Sequence, residues 1–377
     1  MPGNNLPVVV DDFERQLNIF TNLGLAEEKA DSLTNITGMY SQLTKRVFRR
    51  ANGNHIQYRE FKGPDGPIEY SVSAAIIPIT KMVNGVSVKS DVIRNPSIRE
   101  DRVEDALAYL ASQGAAVPKK DKLQIGVTFT LQGIRTVIMD IFDTKYSVAQ
   151  IRESLNTLAR SSIDLPMMAQ NSDAATHSNV NTRISNLTLI TAQMYRADRE
   201  SKSYCEFHWA FARDIALGDY CAHDIELQGK LNEDLAIDLI KTLSYKFRQA
   251  GHKTQYNFAA RKYLENSCIG FYEKNPSKSW GKLKMALEDL KKNNVIRAYN
   301  IENKTAKVSG LGGRTKIEDR IVTVWAHKDF TGRVKTKHWL DDARGLKEMK
   351  KAKKWSPGKL PKPDKAMEPE TDEIQFA

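Results

Sequence analysis

The sequence predicts an α+β fold in which one order of elements, helix–strand–helix–helix–strand–strand, occurs twice. Apolar residues keep helical spacing in three segments between 97 and 160, and again in three between 235 and 293. Each set is followed by stretches rich in β-branched and aromatic residues, and the third helices begin about 130 residues apart. Charge is segregated as well. Residues 241–365 hold 31 Lys+Arg against 12 Asp+Glu, a net +19, while the remainder holds 26 against 34 in a chain of +11 overall. A field of that sign attracts polyanions, of which nucleic acid is the most abundant in a cell.

Residues 1–95 read as an N-terminal α/β extension without an assigned role. Leu17, Phe20 and Leu23 keep helical spacing, as do Leu33, Ile36, Tyr40 and Leu43, so two helices are expected over 9–44. Residues 55–93 take strand character. Gly63-Pro-Asp-Gly-Pro67 marks a turn, and Asn84-Gly85 marks a tight hairpin between Ile79–Met82 and Val86–Val88.

The first repeated unit spans 97–215. Ser97 with Glu100 has capping-box spacing ahead of a helix that carries Val103, Leu107 and Leu110 and stops at Gly114. A strand is expected over Leu123–Phe129. Thr130 caps a helix over Leu131–Phe142, and Ser147 caps another through Ile151, Leu155 and Leu158. Strands are expected at Ile163–Met167, Asn186–Tyr195 and Tyr204–Phe211, with polar residues 169–184 as a long hairpin loop. The second unit spans 231–330. A helix carries Leu235, Leu239, Ile240, Leu243 and Phe247, followed by a short strand at Tyr256–Phe258 and helices over Ala259–Gly270 and Ser277–Asn293. Ile296–Ile301 and Ile317–His327 make a hairpin around Ser309-Gly-Leu-Gly-Gly313. That order is the winged helix, so the fold class is two tandem winged-helix domains. Residues 344–377 read as a disordered basic arm, rich in Lys and Pro, followed by an acidic tail.

Several functions are disfavoured. No run approaches the roughly 18 apolar residues of a membrane span, and the N-terminus lacks the blocks of a secretory signal, so no membrane partner and a cytoplasmic location are expected. Cys205, Cys221 and Cys268 are too few for a disulfide framework. Cys205-Glu-Phe-His208 with Cys221-Ala-His223 is loosely finger-like. On a strand, however, the odd separation of Cys205 and His208 puts them on opposite faces, and Cys205, Phe207, Trp209 and Phe211 read better as one buried face. The Gly-rich tip lacks P-loop spacing. His-x-His pairs and convincing carboxylate constellations are missing, so no catalytic residue, metal or cofactor is expected.

The candidate DNA contacts fall into three groups. In the last helix of the second unit, Trp280, Leu283, Leu287 and Leu290 face the core, leaving Ser277, Lys278, Ser279, Lys282 and Lys284 for bases and phosphates. The wing offers Arg297, Lys304, Lys307, Arg314 and Lys316 to phosphates or a minor groove. The corresponding helix of the first unit offers Lys145, Tyr146, Ser147, Gln150, Arg152 and Ser154, with Gln150 able to read adenine and Glu153 opposed to phosphate.

Two phrases carry a family resemblance: Ile151-Arg-Glu-Ser-Leu-Asn-Thr-Leu-Ala-Arg-Ser-Ser-Ile-Asp-Leu165, and Ser279-Trp-Gly-Lys-Leu-Lys-Met-Ala-Leu-Glu-Asp-Leu-Lys-Lys-Asn-Asn-Val-Ile296. Each ends a third helix just before its wing. Over about residues 97–330 the chain resembles bacterial plasmid replication initiators of the tandem winged-helix class. The resemblance implies binding of double-stranded DNA at direct repeats of an origin, opening of adjacent AT-rich duplex, and recruitment of a host initiator and the replicative helicase. It also implies a homodimer as a second form. A winged-helix transcriptional regulator fits the same architecture, and a DNA-processing enzyme such as a primase or nuclease is the reading from another class.

Overall fold

A computed structural model describes residue 17 and residues 33–47, 55–63, 66–83, 86–119, 124–166, 178–189, 202–247, 254–307 and 315–333. Phe20 and Leu23 of the expected first helix, the tip 309–313, Arg314, and the arm and tail 344–377 lie outside the described residues. So do the side chains of Lys307 and Lys316.

The N-terminal region departs from its pattern first. Leu33–Thr37 forms strand β1, not a helix, and the helical turn that follows is confined to Gly38–Gln42 (α1). Three of the five β1 residues, Thr34, Ile36 and Thr37, are β-branched, which favours a pleated strand over a helical turn. Two hairpins follow where turn residues place them: β2 (Ile56–Gly63) with β3 (Gly66–Ser73), and β4 (Ala75–Val83) with β5 (Val86–Arg94). Gly63 pairs with Gly66 and Val83 with Val86, so each connection is two residues long.

The first unit begins with α2 (Ile98–Leu110), held by the Ser97/Glu100 capping box. The chain leaves that helix over Ala111–Ala115, where Gly114 takes φ +93°, a left-handed conformation suited to glycine. Next come β6 (Ala116–Lys119), β7 (Gln124–Phe129), α3 (Leu131–Phe142) capped by Thr130, and α4 (Val148–Leu158) capped by Ser147 and Gln150. The strands that follow differ from expectation. β8 (Ser162–Pro166) and β9 (Ser178–Thr182) form a hairpin that joins the N-terminal strands in the order β2-β3-β8-β9. The wing itself is β10 (Ile184–Thr188) and β11 (Ser203–Phe207), in a sheet ordered β10-β11-β7-β6. Phe211, expected on a strand, lies in helix α5 (Trp209–Ala216), because His208 caps a new helix by accepting from the Ala210 N–H. β12 (Tyr220–Asp224) returns to pair antiparallel with β1, with Ile36 opposite Cys221.

Helix α6 (Ile225–Gly229) leads into the second unit: α7 (Asp234–Phe247), β13 (Gln255–Ala259), α8 (Ala260–Asn266), α9 (Pro276–Lys292), β14 (Ile296–Lys307) and β15 (Thr315–Ala326). Its sheet order is β13-β15-β14. In both units, therefore, the strand before the second helix pairs with the last wing strand, which pairs with the first wing strand. The repeat expected from pattern is a repeat of winged-helix topology.

Residue 95 does not mark a boundary in the packing. One core joins Leu17, Tyr40, Leu43, Val47, Ile68, Tyr70 and Val72 to Val103, Leu107, Ile134, Ile138, Ile151 and Leu155 of the first unit. A second core holds Leu235, Leu239, Leu243, Leu264, Leu283, Leu287, Leu290, Val322 and Val324.

Ion pairs tie these bodies together across α2. The fully buried Arg183, between β9 and β10, pairs with Asp101 (3.0 Å) and with Glu104. Lys45 Nζ lies 3.1 Å from Glu104. Arg46 donates to Asp101 and reaches Asp238 of α7 at 3.3 Å. Lys241 of α7 grips both oxygens of Asp105, at 2.6 and 2.8 Å. Burial pushes the Asp101 and Glu104 carboxyls up, but the cations outweigh it. Arg46 and Arg183 hold Asp101 well below the usual range, and Arg183 and Lys45 hold Glu104 at about 2.

Two outcomes follow from this network. Arg183→Met leaves two buried carboxylates short of a cation and should lower the unfolding free energy by about 3–5 kcal/mol, read from denaturant midpoints. Both carboxyls titrate lower in the folded chain than unfolded, so their contribution is complete above about pH 4.5 and is lost as the pH falls toward 2. Unfolding midpoints measured at pH 7, 4 and 3 should fall steeply for the parent and less so for Asp101→Asn/Glu104→Gln.

Candidate nucleic-acid interface

Helix α9 is built to present one face. Asn275 accepts from the Lys278 N–H at its start, and Pro276 occupies the first turn, where its missing N–H costs nothing. Leu283, Ala286, Leu287 and Leu290 are buried against α7 and the sheet. Trp280 packs edge-on to Phe271 with ring centroids 5.2 Å apart, and the Arg320 guanidinium of β15 sits 4.9 Å over its ring. That anchorage turns Ser277, Lys278, Gly281, Lys284, Met285, Glu288 and Lys292 to solvent, with Lys282 half-buried on the flank.

The structure divides the residues singled out in this helix. Ser277, Lys278 and Lys284 are exposed at or near its N-terminal half, where free backbone N–H groups also favour phosphate. Lys278 Nζ lies 4.9 Å above the Tyr272 ring, which holds its ammonium beside the helix start. Ser279, expected among the DNA contacts, is instead fully buried, and its hydroxyl accepts from the Tyr272 N–H at 2.9 Å, closing the turn between α8 and α9. It has no path to a base.

On the wing, Arg297 and Lys304 are exposed, and β14 is tied to the helix where the Tyr299 hydroxyl donates to Glu288. Burial and the Glu288 carboxylate push the Tyr299 hydroxyl up to about 12, so it stays a donor at neutral pH. Lys304 lies opposite Asp319 and lines a cleft with Tyr58, Glu60 and Arg261, on the side of the wing facing the N-terminal sheet. In the hairpin register Lys307 is the backbone partner of Thr315, and Lys316 that of Ala306.

The first unit presents a weaker version of the same face. Lys145, Ser147 and Gln150 are exposed, and Tyr146 and Arg152 are half-buried. Arg102 braces the approach, donating to Thr144 at 2.8 Å and to the Tyr146 hydroxyl at 3.4 Å. Gln150 accepts from the Ser147 N–H at 2.8 Å, so a two-pronged contact to adenine would sacrifice the cap. Ser154, also expected among the DNA contacts, is likewise fully buried and donates to Glu100 at 2.8 Å. Glu153 is paired with Arg94 and with Arg99 at 3.1 Å, so its charge is met within the chain.

The cysteine–histidine pairs serve packing. His223 is buried between Ser244 Oγ (2.9 Å) and Gln228 Oε1 (2.6 Å), and His208 caps α5. Burial lowers both imidazoles to about 4. Among the described residues no group of three or more His, Cys, Asp or Glu is arranged to hold a metal ion. No described helix is long and apolar enough to cross a membrane.

No protein-family model matches the chain, and no curated protein matches it significantly. Solved structures are similar at low identity. That of domains 2 and 3 of RctB is 12% identical, covering 77% of this chain and 96% of that one, with a TM-score of 0.41. That of the Pi initiator protein in complex with iteron DNA is 12% identical, covering 62% of this chain and 92% of that one, with a TM-score of 0.40.

The buried Ser279 should separate from the exposed lysines of α9 in stability measurements. Ser279→Ala strands the Tyr272 N–H and should cost about 1–3 kcal/mol. Lys278→Ala and Lys284→Ala, at the surface, should stay within about 0.5 kcal/mol of the parent. Chemical denaturation of the three variants checks the distinction.

Proposed function

We propose that the chain is a sequence-specific, double-stranded-DNA-binding replication initiator in which α9 reads the major groove and α4 takes a second, weaker contact. The supporting observation is the solvent face of α9. Its leucines are spent on the core, and the stripe left over carries Ser277, Lys278, Lys284 and Lys292 on a helix that precedes a wing. The two units share a winged-helix order and are joined by ion pairs through α2, which suits successive contacts along one duplex. The wing residues Arg297, Lys304, Lys307, Arg314 and Lys316, with the Lys-rich arm, would supply phosphate contacts with little discrimination. Direct repeats at an origin, opening of neighbouring AT-rich duplex, and contacts with a host initiator and replicative helicase complete the reading that the family resemblance suggests. No catalytic group is assigned.

Footprinting on the DNA flanking the gene tests the binding step, and replication of a plasmid carrying only the gene and that DNA tests the initiator role. Protection without replication would make the protein a regulator. Affinity should fall steeply with salt, and each lysine that contacts a phosphate should lower the slope of log K against log salt by about 0.9 when changed to Ala. Lys278→Ala and Lys284→Ala should change relative affinities among sites. Neutralising Lys350, Lys351, Lys353 and Lys354 together should weaken all duplexes alike, as read by titrations on specific and random DNA.

A further inference from the structure

Two residues at the centre of the α9 face are unusual for their place in a helix. Gly281 lies in mid-helix, where glycine is among the poorest residues for stability. Glycine is ordinarily kept inside a helix for a left-handed backbone or for close packing. Gly281 is outside the set of left-handed positions, and a Cβ built on it meets no atom within 4 Å. Met285, one turn on, is 55% exposed, while Leu283 and Leu287 on either side are 1% and 0% exposed. An apolar side chain is thus held out beside a gap in the helix surface, in a shallow hollow shared with Lys284, Lys292, Glu233 and Glu288.

We propose that this pair is the base-reading point of α9. The absent side chain at 281 lets the helix backbone descend to the floor of the major groove, and Met285 then packs on the 5-methyl group of a thymine. The groove side of a T·A pair offers that methyl as its one apolar feature, and a flexible thioether follows its position. The inference rests on the DNA-reading role proposed above, and it adds the base and the two residues that select it.

The test uses the full chain and sites selected from a pool of random duplexes. Each thymine in the selected site is replaced in turn by uracil, which removes the 5-methyl group alone. One replacement should weaken the parent about fourfold, the worth of one buried methyl group, and Met285→Ala should bind the thymine and uracil duplexes equally. Gly281→Ala should raise the midpoint of thermal unfolding, since the methyl has free space and favours helix, yet weaken the selected site at least tenfold with random duplex bound as before. A Gly281→Ala variant that is more stable and binds the site normally overturns the proposal. So does a parent indifferent to every uracil, or a Met285→Ala variant that keeps the thymine preference. Selection that returns no preferred sequence removes the DNA-reading role itself, a result distinct from these.

Discussion

The arrangement of the chain depends on the acidic side of α2. Asp101, Glu104 and Asp105 project from one helix of the first unit toward cations from three places: Lys45 and Arg46 after α1, Arg183 before the wing, and Lys241 from the second unit. Removing such charges from water is costly, and their mutual attraction repays it only when the geometry is met. The network therefore adds less to net stability than to choice of arrangement. An arrangement that displaced α7 or the N-terminal segment would leave carboxylates buried without partners. The two winged helices share one register because the alternatives are expensive.

That constraint explains why the N-terminal region belongs to the first unit. β1 pairs with β12, the last strand before the second unit, and β3 pairs with β8, inserted between α4 and the wing. Neither long-range pairing is written in a local pattern. Local signals were legible: the capping boxes at Ser97 and Ser147, the Thr130 cap, the turns at 63–66 and 83–86, and the apolar stripe of α9 all occur where the spacing puts them. The segment Leu33–Leu43 misled because Leu33, Ile36, Tyr40 and Leu43 fit a helical period, while β12, distant in sequence, pairs with Leu33–Thr37 as a strand. Arg183 was invisible for the same reason, since its partners lie about 80 residues away in sequence.

The candidate site divides along a similar line. Exposed lysines could be placed from the sequence because the opposite side of α9 is marked by leucines. Ser279 and Ser154 could not, because a serine suits either a phosphate or a buried donor or acceptor, and only the fold supplies Tyr272 N–H and Glu100 as partners. Gln150 is of a type able to read adenine, but its carbonyl already serves the helix start. Gly281 and Met285 carried a signal in their angular position, at the centre of the face opposite Leu283 and Leu290, which an inventory of charged residues passes over.

The asymmetry of the two units has a physical logic. In the first, the helix that would enter a groove has its one carboxylate met by Arg94 and Arg99, its serine turned inward, and its glutamine engaged in a cap. Its polar groups are largely satisfied before any partner arrives. In the second, several lysines stand in water beside a bare stretch of helix backbone. A group already bonded within the chain gains little from DNA, because one hydrogen bond is exchanged for another. A solvated lysine gains through counterion release from the DNA, and a bare backbone gains through proximity. On the proposed DNA-binding role, discrimination between sequences should therefore reside in α9, with α4 supplying the weaker contact.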